Sequence, residues 1–149
     1  MAKLHDVANF FINKSHEEGI PITHLKLQKL CYYAQAWHLV LSKKNTPLFR
    51  GEFQAWVHGP VNPELFKTYR QYGWDPIMKK PEEINLDRSE EEILNEVWQA
   101  YGSFDAKYLE ALTHNEKPWK KARKGLPEDA YSTEVIDEDE MLKYYSSLR

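Results

Sequence analysis

Cysteine is nearly absent: Cys31 is the one thiol among 149 residues. A single thiol excludes an internal disulfide framework and any multi-cysteine zinc site. Glycine is scarce too, six in all, mostly where helices are predicted to end. Neither a Walker-type loop nor a dinucleotide fingerprint can be assembled from them. A nucleophile elbow of the Gly-x-Ser-x-Gly type is missing, as are His-Glu-x-x-His and any histidine pair at i, i+4. His114-x-Glu116 followed by Pro118 resembles the opening of a zinc deaminase motif, but the paired-cysteine half is lacking. No apolar run approaches the ~20 residues of a spanning helix. Lys3 and Asp6 interrupt the N-terminus before an export signal could form. The chain is therefore read as soluble and expected in a reducing cytoplasm, without a membrane partner.

Charge of one sign is missing as well. Twenty Lys and Arg against 23 Asp and Glu leave −3. That balance offers no general electrostatic field for nucleic acid, which is not expected as a partner. What the chain does have is apolar residues at 42%, charged residues at 29% and 20 aromatics. These are ordinary globular values with an ample aromatic supply. The length suits about one domain, expected to span residues 1–149.

Helical periodicity dominates. Val7, Phe10 and Phe11 open the first pattern, which Gly19-Ile20-Pro21 ends. Thr23 is the predicted N-cap of a second helix from His24 to about Leu41, apolar on most bearings and so expected to be buried. Alternation over Phe53, Ala55 and Val57 predicts a short strand, broken at His58-Gly59-Pro60, with Ile84 to Leu86 as a candidate partner. Asn62 with Pro63 reads as a cap and first position of a short helix ending at Gly73. Ser89 and Glu92 form a capping-box pattern ahead of Leu94, Val97, Trp98 and Tyr101. Ser103 is a predicted cap for the next helix, Lys117-Pro118-Trp119 opens a short basic one, and Asp137 with Glu140 opens the last. The expected fold is mostly α: a single compact helical domain of about six or seven helices with a minor two-stranded β element.

Chemistry is hard to find by this route. Cys31 lies in the most apolar helix, where burial makes a thiol inert. Any one histidine is read as structural. The lysines between 117 and 124 read as a solvated helix face. No catalytic residue, metal ligand or cofactor is predicted, and the chain is expected not to be an enzyme. The aromatics are too many for a core alone: Trp37, Trp56, Tyr69, Tyr72 and Trp119 are candidates for a surface that recognises another protein.

Three segments carry a resemblance. The first runs from Leu25 to His38 (LKLQKLCYYAQAWH); the second from Phe53 to Val61 (FQAWVHGPV), followed by Pro63-Glu64-Leu65 and Tyr72-Gly73. The third runs from Thr113 to Ala122 (THNEKPWKKA). Together and in order they resemble the Panacea-domain antitoxin family, which includes SocA-like and phage-associated GepA-like proteins. The resemblance implies a bacterial or phage toxin–antitoxin system in which this chain neutralises a cognate toxin by direct binding. The toxin is then expected from an adjacent gene. The alternative it implies is a SocA-like adaptor that hands the toxin to an ATP-dependent protease. The residues expected to meet the partner are Trp56, His58, Gly59 and Pro60, since Gly and Pro can set the turn that presents the two side chains. Gln35, His38, Tyr69 and Tyr72 are secondary candidates. His114 and Glu116 are expected to hydrogen-bond the start of the helix at Pro118.

Overall fold

The computed structural model describes all 149 residues. Seven α-helices and one two-stranded sheet make it up, as the periodicity predicts: α1 (Leu4–Glu18), α2 (His24–Leu41), β1 (Gln54–Trp56), β2 (Gly59–Val61), α3 (Pro63–Tyr69), α4 (Arg88–Tyr101), α5 (Ala106–His114), α6 (Lys117–Ala122) and α7 (Glu138–Ser146). A 3₁₀ turn, Arg70–Tyr72, extends α3. No helix is long and apolar enough to cross a membrane.

Helix α2 is the axis. Thr23 caps it by accepting from the Lys26 N–H, and every residue from Lys26 to Ala36 is buried. Helices α1, α4, α5 and α7 and strand β2 all pack around it. A helix surrounded this way must satisfy its polar side chains internally. Gln28 does so with Asn62, donating to its carbonyl at 3.0 Å and accepting from its N–H at 2.8 Å. Gln35 accepts from the N–H groups of Leu48 and Phe49 and donates to the Phe49 carbonyl. These two amides stitch the otherwise irregular segments 48–53 and 60–62 onto the helix.

The hairpin differs from the predicted ribbon. β1 pairs antiparallel with β2, Trp56 opposite Gly59 across the two-residue loop Val57-His58. Two of the three residues read as a strand breaker, Gly59 and Pro60, belong to the second strand, and Ile84–Leu86 is not a strand. Gly59, at φ +99°, makes the reversal. Pro60 is tolerated because its partner Ala55 directs its own N–H away, to the Glu134 carbonyl at 2.8 Å.

Two caps also shift. Helix α4 starts at Asp87, not Ser89: Asp87 accepts from the Glu90 N–H while the Glu90 carboxylate accepts from the Asp87 N–H. A carboxylate at the positive helix end outcompetes the serine two residues on, which donates to Asp87 instead. For the same reason Asp105, not Ser103, caps α5. Predicted caps at Thr23, Asn62 and Asp137 hold, and Gly19 ends α1 in the left-handed region.

Candidate functional site

The turn after α1 and the long connection after α3 meet on one side of the molecule. Ile77, 1% exposed, anchors the connection by donating its N–H to the Ile22 carbonyl at 2.8 Å. Its own carbonyl lies 3.0 Å from His16 Nε2. With Ile77 turned inward, its neighbours are turned outward: Trp74 is 78% exposed and Met78 79%. Ile20, Pro21 and Leu25 stand beside them, none buried. Two grooves result. One of about 610 Å³ is lined by Ile20, Pro21, Leu25 and Trp74, with His58, Glu110, Asp105 and Lys107 on its rim. The other, about 500 Å³, is lined by Ile20, Pro21, Ile22, Pro76 and Met78, with Lys79 and Lys80 on its rim. They share Ile20 and Pro21, so the apolar surface is continuous from Trp74 to Met78.

Two of the charged groups at this face are paired, His58 with Glu110 and Lys79 with Glu82. His58 Nδ1 lies 3.0 Å from Glu110 Oε1. Lys26 reaches into the wall of the larger groove, donates to the Gly102 carbonyl at 2.6 Å and lies 5.7 Å from the centre of the Trp98 ring. Burial lowers its pKa, with Asp105 pulling the other way. Beneath the hairpin turn lies Lys29, fully buried, with one hydrogen bond, to the Pro60 carbonyl at 3.3 Å. Burial drives its pKa from 10.5 down to about 7, opposed by the charge on Glu110. Glu110 thus faces both the surface His58 and the interior Lys29.

Of the residues expected at a partner surface, His58 alone lines this groove. Trp56 is half-buried edge-on to Phe66, with its indole N–H donated to Gln54. Gly59 and Pro60 are buried and hold the turn. Tyr69 is 3% exposed, and Tyr72 stacks on it, half-buried. Gln35 is spent on the backbone of 48–49, and His38 binds the Thr46 carbonyl at the far end of α2. Trp119, another surface candidate, is a core residue at 2% exposure. Its indole donates to the Trp56 carbonyl, and it carries His114 stacked at 4.0 Å and the Arg123 guanidinium at 4.6 Å.

The third block is architectural in a way the residues did not predict. Glu116 occupies the N-cap of α6 without a side-chain cap bond. Its carboxylate turns inward and accepts from Tyr33 and Tyr145, each at 2.7 Å. Burial raises its pKa despite both bonds. His114 pairs with Glu128 at 2.8 Å rather than with the helix start. Arg123, buried without a carboxylate, donates to the carbonyls of Ala55, Pro127, Glu128 and Ala130. Trp74 and Met78 escaped the sequence reading. The available signal was an aromatic and a methionine set among Gly73, Pro76 and Pro81, where no periodicity could bury them.

Cys31 is buried, with its thiol pushed up by desolvation. No three His, Cys, Asp or Glu side chains converge as metal ligands. An apolar strip with an exposed Trp and Met, bordered by charged side chains, has the make-up of a protein-recognition surface.

Comparison with known proteins agrees with the three sequence blocks. The family profile described as "Antitoxin SocA-like, Panacea domain" matches residues 27–120. The chain is similar to Antitoxin SocA of Caulobacter vibrioides (strain NA1000 / CB15N), 31% identical over 126 residues. That match takes in 76% of this chain and 66% of the relative, so the chain spans just under two thirds of the relative's length. No solved structure matches the chain.

Proposed function

The chain belongs to the SocA-like Panacea-domain family, and from that premise we propose that it is an antitoxin that neutralises a cognate protein toxin by direct binding, without turnover. The observation that carries the reading is the face from Trp74 to Met78. Monomeric proteins seldom leave a tryptophan and a methionine on one face largely exposed without a partner for them. Trp is among the side chains that dominate binding energy when a partner encloses them. Ile77 pins the backbone of the segment from below, which keeps the two side chains on the outer face.

The test uses the toxin encoded beside this chain's gene, in growth rescue and in binding of the purified pair. Trp74→Ala with Met78→Ala is expected to weaken the complex about 30-fold or more, the range of a lost hot spot, and to abolish rescue. Full rescue by the double variant at wild-type abundance would remove this face from the reading. The toxin's steady-state level in rescued cells separates masking, where it persists, from delivery to an ATP-dependent protease, where it falls.

A further inference from the structure

Away from the apolar face, α6 and α7 pack together and border a groove of about 420 Å³. Four lysines line it: Lys117, Lys120 and Lys121 from α6 and Lys143 from α7. One carboxylate, Glu140, lies among them and is taken by Lys121 at 2.9 Å. Lys117, Lys120 and Lys143 are exposed and have no ion-pair partner. A wall of the groove is the half-buried Tyr144 ring.

The helix dipole does not account for this. It favours cations near a helix C-terminus, which suits Lys120, Lys121 and Lys143 individually. It disfavours Lys117, the first residue of α6, and it does not explain why two helices from different parts of the chain aim their lysines into one groove. Nor are acids in short supply, since the chain carries 23 of them against 20 bases. Three unpaired ammonium groups around one concavity repel one another until an anion enters.

The anion can be specified. Carboxylates of a protein partner would each have to be ordered separately, and exposed pairs of that kind gain little. A phosphate chain brings several charges already joined, and lysine binds phosphate as a mobile point charge. The volume lies within the ~300–1,000 Å³ of small-molecule sites, and an aromatic face beside the cations is what a nucleobase stacks on. We propose that the α6–α7 groove binds the phosphate chain of a nucleoside polyphosphate.

Titration calorimetry of the full chain at low salt tests this, with ATP, inorganic triphosphate and a short single-stranded oligothymidylate as probes. Binding of ATP and triphosphate is expected at one site per chain, with ATP the tighter of the two. Lys120→Gln with Lys143→Gln should weaken both at least tenfold, while Lys43→Gln with Lys44→Gln, exposed lysines in the turn after α2, should not. No binding of either polyphosphate would overturn the proposal, as would equal losses in the two lysine pairs. An oligothymidylate bound more tightly than ATP would overturn it in favour of a nucleic-acid strand. The measurement needs no toxin, so it stands or falls apart from the antitoxin reading.

Discussion

Several polar side chains lie buried within the apolar core of this molecule, and two large apolar ones stand out on one side of it. Gln28, Lys29, Gln35, Glu116 and Arg123 are all buried, the three charged ones bonded to backbone or tyrosine hydroxyls rather than to an opposite charge. Trp74 and Met78 are almost fully exposed. Four of the five interior groups lie in the three blocks that carry the family resemblance and Arg123 follows the third; Trp74 follows the second block and Met78 lies outside them. The blocks are therefore spent on holding irregular segments against α2.

The largest effect should come from the interior. Arg123→Ala would strand four carbonyls, one of them in the hairpin, and uncover the Trp119 ring. The expected loss is about 3–5 kcal/mol, a fall of roughly 10–15 °C in Tm for a chain of this size. Trp74→Ala should change stability by less than about 0.5 kcal/mol, as for other exposed sites. Thermal unfolding of the two variants side by side checks the contrast. Comparable losses in both would mean that Trp74 belongs to the frame.

A smaller effect sharpens the division at its boundary, where the turn meets Lys29. A Cβ on Gly59 would lie 2.6 Å from Lys29 Cε and 2.9 Å from Thr113 Oγ1, at a φ that already penalises a side chain. Gly59→Ala is expected to cost about 2–3 kcal/mol. In a Lys29→Ala background the penalty should shrink by at least about 0.5 kcal/mol, because the two sites are in contact. Denaturant midpoints of the four proteins measure that coupling; a coupling of zero would show that the strain lies in the backbone alone.

The frame was largely legible in the sequence because its signals are local. Thr23, Asn62 and Asp137 cap helices by their own chemistry, Gly19 stops α1, and the apolar bearings of α2 announce its burial. The errors lie where the outcome depends on competition or on distance. Asp87 displaced Ser89 as a cap because a carboxylate is the better acceptor at a helix N-terminus. Glu116 left its helix start because Tyr33 and Tyr145, far along the chain, converge on it. Trp119 and Tyr69 look like surface aromatics by composition and are interior by packing. The candidate face was not legible at all. Trp74 and Met78 are exposed because Ile77 between them is tied to Ile22, a pairing of distant segments that no periodicity records.

The smallest effect is a slope against pH, and it belongs to Lys29. Its folded pKa of about 7 lies below the ordinary 10.5. Between those values the unfolded chain holds a proton that the folded chain has released, so stability rises as pH rises, by at most about 1.4 kcal/mol per unit. Above about pH 10 the sign reverses, because buried Tyr32, Tyr33 and Tyr145 keep protons that their unfolded counterparts lose. Urea midpoints between pH 7 and 9.5 should therefore climb in the wild type. Lys29→Met keeps the stem against Gly59 and removes the proton, and should flatten most of the climb. Lys26, also held low by burial, accounts for what remains. Trp74→Ala should reproduce the wild-type slope, since that ring carries no proton and stands at the surface, away from the buried Lys29. A slope lost with Lys29 and kept without Trp74 would locate the response to pH inside the frame and not on the outer face.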